Sequence, residues 1–271
     1  MAFGTETMLT GVDHIVVRCS NPPELMDEVR TQLDVPTLIP IQDYGDFCSG
    51  MIRLSNLDIE FLRLGAETIP KPYFYGIAFT SAETVWRTAA WLKAKGIRHS
   101  LPIHTTTRRE GRRWRWSTIF LDGFLDNPIP APYSLGMLSG DGFVARGVAA
   151  FSATLMQVPA IRRFTATKGG GSMCFVCHYD RDLSRPRAVA TETLAASGGG
   201  KNQIVRVESI VVEVSHTKLA WERLLATRQI DNPKLEIQQG ITNRIREVVI
   251  RTKVPISPMR FGDVVFLFQS E

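Results

Sequence analysis

The chain has 271 residues, of which 44% are hydrophobic and 22% are charged, and its formal net charge is +5. This composition is typical of a globular protein with a sizeable core and excludes a chain that is disordered throughout. No apolar run approaches the roughly 20 residues that a membrane-spanning helix needs, and the first residues lack the pattern of a secretory signal. Four cysteines are too few for a disulfide scaffold. We therefore expect a soluble, cytoplasmic protein.

The first elements are a strand, a helix and then two or three strands. Residues 12–18 are rich in β-branched side chains and predict the first strand. Polar residues and two prolines follow, which is typical of a helix start, and apolar residues then recur at helical spacing as far as Leu33. Residues 50–54 and 58–64 predict strands with turn-forming residues between them.

A second unit repeats this order. Residues 75–80 predict a strand and residues 81–95 a helix that stops at a glycine, followed by a strand over 113–121. The stretch from about 122 to 171 is rich in glycine and proline and predicts a long insertion, which in a compact domain is typical of a binding loop or lid. Residues 173–178 resume the strand pattern.

A third copy follows residues 197–200, whose composition predicts a flexible linker. Residues 207–215 align with residues 12–20 without a gap, and residues 263–267 align with residues 58–62. This internal repeat indicates that the chain is built from one strand–helix–strands module used three times.

The predicted fold class is α+β, with repeated βαβββ modules forming a cupped mixed sheet. We expect module 1 over residues 8–68, module 2 over 72–185 and a degenerate module 3 over 204–271. The first two modules should pair into a cup. The third should pack alongside them or provide the contact of a homodimer.

The copies differ at two chemically active positions. His14 and Glu60 of the first copy are replaced by Ser209 and Val265 in the third, whereas the neighbouring apolar positions agree. Side chains alternate along a strand, so both groups should lie on the open face, opposite the residues that pack under the helix. An imidazole and a carboxylate that converge there can bind a divalent metal or act as an acid/base pair.

The run at residues 13–17 and the run at residues 59–62 resemble the vicinal oxygen chelate superfamily, and within it proteins with a glyoxalase-like domain. That superfamily includes glyoxalase I, ring-cleaving dioxygenases and bleomycin-resistance proteins. The resemblance implies paired βαβββ modules around a divalent metal such as Fe, Mn, Zn or Ni, with ligands on the first and last strands. His14 and Glu60 would then be the ligands from module 1.

Module 2 departs from that pattern. Gly76 stands where the ligand equivalent to His14 would fall, and the last strand offers Cys177 or His178 instead of a carboxylate. We prefer His178, because two histidines and one glutamate suit Fe(II), Mn(II) or Zn(II). A register shift of one residue would turn His178 to the other face.

Basic and aromatic residues alternate on the strand after the second helix, where Trp114 and Trp116 share one face and Arg113 and Arg115 the other. Such a strand can bind single-stranded nucleic acid, or it can hold a carboxylate-bearing aromatic substrate at the mouth of the pocket. A half-buried strand with a solvated basic face is the favoured interpretation. No nucleic-acid motif accompanies the run, so nucleic acid is the disfavoured partner.

Together these features predict a metal-dependent enzyme that acts on a small, oxygen-bearing organic substrate, of isomerase, lyase or ring-cleaving dioxygenase type. His14 and Glu60 would be its catalytic groups, and His14, Glu60 and His178 would hold the metal. The alternative is a protein of the same fold that binds and sequesters a small molecule without chemistry. We expect no membrane partner.

Overall fold

The computed structural model describes residues 9–44, 47–65, 68–109, 112–126, 173–180, 182–225 and 233–271. Within these ranges the chain forms an eight-stranded sheet, a five-stranded sheet and four helices. The predicted α+β class is confirmed. The insertion predicted from about 122 to 171 lies outside the described residues except for residues 122–126. No helix in the described part of the chain is long and apolar enough to cross a membrane.

Two modules make up the eight-stranded sheet. The first comprises β1 (Leu9–Arg18), α1 (Pro22–Leu33), β2 (Thr37–Asp43), β3 (Phe47–Leu54) and β4 (Leu57–Leu64). The second comprises β5 (Tyr73–Ser81), α2 (Val85–Ala94), β6 (Ile103–Arg109), β7 (Arg112–Leu121) and β8 (Met173–Tyr179).

The strand order β2-β3-β4-β1-β5-β8-β7-β6 places the first strands of the two modules side by side at the centre, where they run antiparallel. Each first strand also pairs in parallel with the last strand of its own module. The two halves are therefore related by an approximate two-fold repeat. This layout confirms the predicted pairing of βαβββ modules into a curled mixed sheet.

A further helix, α3 (Ser184–Ala196), follows the second module and was not predicted. Next comes a turn in which Gly198, Gly199 and Gly200 all have positive φ. The backbone N–H of Lys201 donates to Asp34 Oδ2 at 2.6 Å, and a Cβ on Gly200 would collide with Asp34. Residues 197–200 are therefore a fixed turn and not the flexible linker that their composition predicts.

The rest of the chain forms the five-stranded sheet. Its elements are β9 (Ile204–Val214), α4 (Lys218–Leu225), β10 (Lys234–Gln239), β11 (Arg244–Thr252), β12 (Met259–Phe261) and β13 (Val264–Ser270), in the strand order β10-β9-β11-β13-β12. This order reproduces the central strands β4-β1-β5-β8-β7 of the first sheet, with the same parallel and antiparallel pairings. The C-terminal region is thus a shortened pair of modules, whereas the sequence predicted a single one.

The pairing also corrects one residue match. β13 lies beside β11 and not beside β9, so Val265 is not the counterpart of Glu60. Glu60 lies opposite Val16 in the β1–β4 ladder, and Glu236 lies opposite Val211 in the β9–β10 ladder. Glu236 therefore occupies the position of Glu60, while Ser209 keeps the position of His14.

One hydrophobic core joins the two sheets, because apolar residues from both contribute to a single buried cluster. The rings of Phe74 and Phe266 meet edge to face at 6.2 Å, and those of Phe79 and Trp221 at 6.4 Å. The Asn56 side chain bonds the backbone N–H and C=O of Val207. The C-terminal sheet therefore packs on the face of the N-terminal sheet that points away from the cup.

Candidate functional site

The cup of the N-terminal sheet contains a cavity of about 120 Å³. Its polar end is formed by His14, Ser49, Glu60, Cys177 and Tyr179. The remaining lining residues are apolar or aromatic apart from one threonine: Ile39, Tyr44, Phe47, Met51, Trp114, Trp116, Thr118, Phe175 and Leu183. The cavity is therefore an apolar pocket with its charged groups gathered at one place.

The structure brings His14 and Glu60 together, as the sequence predicts. In the parallel β1–β4 ladder His14 lies opposite Asp58 and Val16 lies opposite Glu60, so the two side chains share the face that lines the cup. His14 Nε2 and Glu60 Oε2 are 3.4 Å apart. Glu60 is 16% exposed and His14 only 2%, so Glu60 is the group more open to a ligand.

A β-bulge adds Asp13 to this site. The β1–β5 register shifts between Val12 and His14, so Asp13 has no partner across the ladder. A bulge breaks the alternation of side chains, and here it lets two consecutive residues meet. Asp13 Oδ2 lies 2.6 Å from His14 Nδ1, and the Tyr179 hydroxyl donates to the same oxygen at 3.1 Å. Both nitrogens of the His14 ring thus face carboxylates.

Two arginines balance the buried acids beside the cavity. Arg187 of α3 reaches Asp13 Oδ1 through Nη2 at 2.8 Å and Asp58 Oδ2 through Nε at 2.6 Å. Arg53 Nη1 bonds the other oxygen of Asp58 at 2.6 Å. Both carboxylates are fully buried, so each needs such partners to remain ionised.

These contacts set the charge states of the site. Burial alone lowers the pKa of His14, but the carboxylates of Asp13 and Glu60 outweigh burial and raise it to about 9. Burial alone raises the pKa of Asp13, but His14 and Arg187 lower it to about 2. Burial also raises the pKa values of Cys177 and Tyr179, which keeps both groups protonated. At neutral pH the His14 ring is therefore an imidazolium, and it lies between the side chains of Asp13 and Glu60.

Ser49 fixes the second oxygen of Glu60, because its hydroxyl donates to Oε1. The aromatic residues form the opposite wall: Phe175 meets the His14 ring edge-on at 5.6 Å, and Phe47 contacts Trp116 at 6.2 Å. A flat apolar ligand between these rings would present its polar atom to Glu60 and His14.

The predicted substrate-binding residues divide by strand alternation. Trp114 and Trp116 line the cavity, whereas Arg115 lies on the other face of β7 and is exposed. The side chain of Arg113 lies outside the described part of the structure. For Arg115, the structure matches the interpretation of a solvated basic face and not that of a residue at the pocket mouth.

Comparison with known proteins supports the fold. No family model and no curated protein matches the sequence. A hypothetical protein from Staphylococcus aureus superposes with a TM-score of 0.56 at 11% identity, over 96% of this chain and 99% of that one. Homoprotocatechuate 2,3-dioxygenase from Brevibacterium fuscum is similar with a TM-score of 0.45 at 8% identity, over 92% of this chain and 66% of that one.

Methylmalonyl-CoA epimerase from Mycobacterium tuberculosis is similar with a TM-score of 0.33 at 13% identity, over 44% of this chain and 83% of that one. The paired βαβββ layout is the one that the sequence resemblance implies. The chain therefore has a fold of paired βαβββ modules around a curled mixed sheet.

His178, the predicted third ligand, is not brought to the site. Along β8, Cys177 and Tyr179 line the cup, so His178 between them points to the opposite face, next to Ser117 of β7. Its Nε2 atom is buried and makes no hydrogen bond within the described residues. The prediction failed because the strand register differs by one residue from the register that it required.

The sequence resemblance implies a divalent metal, but the side chains of this cup do not fit one. His14 and Glu60 are matched in module 2 by Gly76 and Phe175, since the β5–β8 register repeats that of β1–β4. Neither residue offers a ligand, and the Phe175 ring packs against His14. Among the described residues no three His, Cys, Asp or Glu side chains are placed to share an ion. Catalytic metals in proteins usually have three protein ligands.

Several residues of the site were missed by the sequence analysis, namely Asp13, Ser49, Tyr179 and Arg187. Asp13 stands beside His14 in sequence, but the alternation rule assigns it to the other face unless a bulge is known. Ser49 lies opposite Leu62 in the β3–β4 ladder, so it shares the face of Glu60. Arg187 belongs to a helix that was not predicted, and nothing in the sequence links it to a position 174 residues earlier.

Proposed function

We propose that the chain is an enzyme that transfers a proton on a small, oxygen-bearing organic substrate, with His14 and Glu60 as its catalytic pair. The observation that carries this proposal is the 3.4 Å approach of His14 Nε2 to Glu60 at the polar end of an aromatic cavity. A fixed base beside a fixed hydrogen-bond donor is the arrangement that proton abstraction next to a carbonyl requires.

Glu60 is the base in this reaction. Its carboxylate takes a proton from the carbon next to the substrate carbonyl, and the C–H electron pair moves to the carbonyl oxygen to form an enolate. In a conjugated enolate the same carboxyl then delivers the proton to a different carbon, which gives an isomerised product, whereas return to the original carbon regenerates the substrate. Ser49 holds Oε1 of Glu60, so Oε2, which lies 3.4 Å from His14 Nε2, is the oxygen that takes the proton.

His14 stabilises the enolate. Its pKa is raised to about 9 by Asp13 and Glu60, so the ring carries the proton on Nε2 that an oxyanion needs. Asp13 holds Nδ1 and so fixes the ring plane. These roles favour the isomerase and lyase types over the ring-cleaving type, because this donor set does not fit the metal that ring cleavage would use.

The size of the cavity limits the substrate. An engineered cavity of about 150 Å³ holds one benzene molecule, and the cavity here is about 120 Å³. Aromatic rings on the walls favour a flat, apolar body. We therefore expect a substrate whose reacting part is a single ring or a group of similar size, with one carbonyl or hydroxyl oxygen.

A second candidate function is sequestration of the same kind of ligand without turnover. The observation that favours it is that both nitrogens of His14 already face carboxylates, which holds the imidazole in a charge network. Such a site recognises an oxygen atom by hydrogen bonding even when no proton moves.

Deuterium uptake at the carbon next to the carbonyl separates the two functions. Acetophenone and phenylacetone serve as one-ring probes in D2O, and binding of each probe is measured by titration calorimetry. We expect uptake to fall by about 100-fold or more in Glu60→Gln, since general bases contribute 10²–10⁴-fold. Glu236→Gln, at the equivalent position of the C-terminal sheet, is the matched control and should match the wild type.

Probe binding without exchange by the wild type would support sequestration, and neither binding nor exchange with any one-ring carbonyl compound would contradict both functions. Elemental analysis of the purified protein adds a check on the metal. Stoichiometric metal that is lost in His14→Ala, together with exchange abolished by EDTA, would overturn the metal-free assignment.

A further inference from the structure

Arg187 joins the α3 helix to the two buried acids beside the cavity, Asp13 and Asp58. Its guanidinium spans Asp13 and Asp58, at 2.8 and 2.6 Å, and its side chain is only 21% exposed. It does not line the cavity, although Tyr179 and Leu183 from the same stretch of chain do. Arg187 therefore acts on the site only through the carboxylates that it holds.

The two acids do not depend on Arg187 equally. Asp58 also bonds Arg53, whose Nη1 lies 2.6 Å from it. The charged side chains that contact Asp13 are His14 and Arg187. Loss of Arg187 would thus leave Asp58 with an arginine, but among the described residues it would leave Asp13 with only His14 as a cationic partner.

The geometry at Asp13 is directional. One carboxylate oxygen faces Arg187, and the other faces His14 Nδ1 at 2.6 Å and accepts from Tyr179 at 3.1 Å. A carboxylate held on both oxygens cannot rotate, so it fixes the plane of the imidazolium that it contacts and keeps Nδ1 turned towards Asp13. The Nε2 atom of His14 is then aimed at Glu60.

We propose that Arg187 is a positioning residue, which fixes the Asp13 carboxylate so that His14 presents Nε2 to Glu60 and the cavity. This inference rests on the proposed function for its catalytic consequence, but the positioning itself can be observed without turnover. Arg187 acts from outside the repeated modules, through a helix that follows them.

Nitrogen-15 NMR of the His14 side chain is the direct test. In the wild type we expect a protected, downfield Nδ1–H resonance from the hydrogen bond to Asp13. Arg187→Gln should broaden or remove that resonance, and Arg187→Lys, which keeps the charge but loses the planar fork, should restore part of it. Arg185→Gln is the matched control, since Arg185 lies on the same helix and is exposed.

Turnover of the one-ring ketone probe is the second measurement. We expect Arg187→Gln to lower kcat by about 10- to 100-fold with little change in KM, because a misplaced ring weakens the transition state more than binding. If Arg187→Gln does not fold, Asp58→Asn and Arg187→Lys replace it. Asp58→Asn leaves the Arg187–Asp13 contact in place and should keep the His14 resonance, whereas Arg187→Lys should weaken it.

The two proposals fail separately. A folded Arg187→Gln protein with an unchanged His14 resonance would overturn the positioning role, whatever the activity. A wild type that turns over no probe would contradict the proposed enzyme, while the resonance would still report whether Arg187 orients the ring.

Discussion

The two sheets of this protein share one arrangement of strands, but they differ in how deeply their charged side chains are buried. In both, the first strand carries a bulge at an acidic residue, Asp13 in β1 and Glu208 in β9. In both, a glutamate follows on the parallel neighbour, Glu60 or Glu236. The N-terminal acid at the bulge is buried with His14 and Arg187, whereas Glu208 is 28% exposed beside Arg206 and Arg251.

This difference shows that a carboxylate at the strand position of Glu60 is not sufficient to form a candidate catalytic site. Glu236 is 36% exposed and lies 3.7 Å from Lys234, a surface pair of the kind that contributes little. Glu60 has the same place in the fold, but it faces a buried imidazole and an aromatic wall. Both sheets have a glutamate at this position. They differ in the burial of the surrounding charged groups and in the presence of Arg187, which α3 supplies to the N-terminal sheet alone among the described residues.

The largest effect should come from the acid at the bulge. Asp13→Asn removes the charge that balances His14 and Arg187, and breaking a buried pair costs about 3–5 kcal/mol. Glu208→Gln is the matched change in the C-terminal sheet and should cost less than about 1 kcal/mol, because Glu208 is partly solvated. Urea unfolding measures both. Equal losses would show that the two bulge positions do not differ as described.

Truncation of the buried isoleucine next to each bulge should reduce the free energy of unfolding by the same amount. Ile15 and Ile210 are equivalent and both fully buried in the shared core. Truncation of either to alanine should cost about 3 kcal/mol, since large-to-small changes in a core cost about 2–5 kcal/mol. Because one core joins the sheets, circular dichroism should show a single transition in each variant. Two separate transitions would mean that the sheets fold independently.

The pH dependence of the free energy of unfolding should come from a histidine of the N-terminal region, His14. The pKa of His14 is raised from 6.5 to about 9, so its stabilisation is complete below pH 6.5 and is lost as the pH rises towards 9. The free energy of unfolding should fall by about 3 kcal/mol across that window. His14→Gln should remove this slope, whereas His216→Gln in the C-terminal region should retain it. A flat wild-type profile would contradict the buried imidazolium.

The smallest effect should come from the turn that joins the two regions. Gly200 has a φ of +67° and lies against Asp34, so Gly200→Ala should cost about 2 kcal/mol. Gly198 has a φ of +70° but open space around it, so Gly198→Ala should cost about 1 kcal/mol. Thermal unfolding of the two variants measures both losses of stability. Equal and negligible costs would indicate that the turn does not fix the contact with Asp34.

The sequence predicted the parts of the fold that depend on local pattern. The β-branched run of β1, the helix after it and the alternation of β4 were enough to place His14 and Glu60 on one face. The match of residues 263–267 to β4 failed because short apolar strands look alike, and only pairing shows which neighbour each has. The prediction that His178 is a metal ligand failed for a related reason. Alternation along a strand separates two faces, but it does not show which face lines the cup.

The helix that carries Arg187 was missed because its apolar stripe is weak, with only Ala190 and Leu194 buried. Its contacts also join distant parts of the chain, since Arg187 reaches Asp58 across 129 residues. Salt bridges of such range leave no periodic signal. The contacts of Arg187 with the buried acids therefore could not be predicted from periodic patterns in the sequence.

The bulge that both sheets share has a consequence for engineering. In the C-terminal sheet it already places an acid, Glu208, beside the position of His14, and Glu236 already stands in the register of Glu60. Ser209→His would put an imidazole at the position of His14, in register with these two glutamates. Glu208 and Glu236 are partly exposed, so the C-terminal sheet would also need a buried cation such as Arg187 provides before it could hold the same charge network.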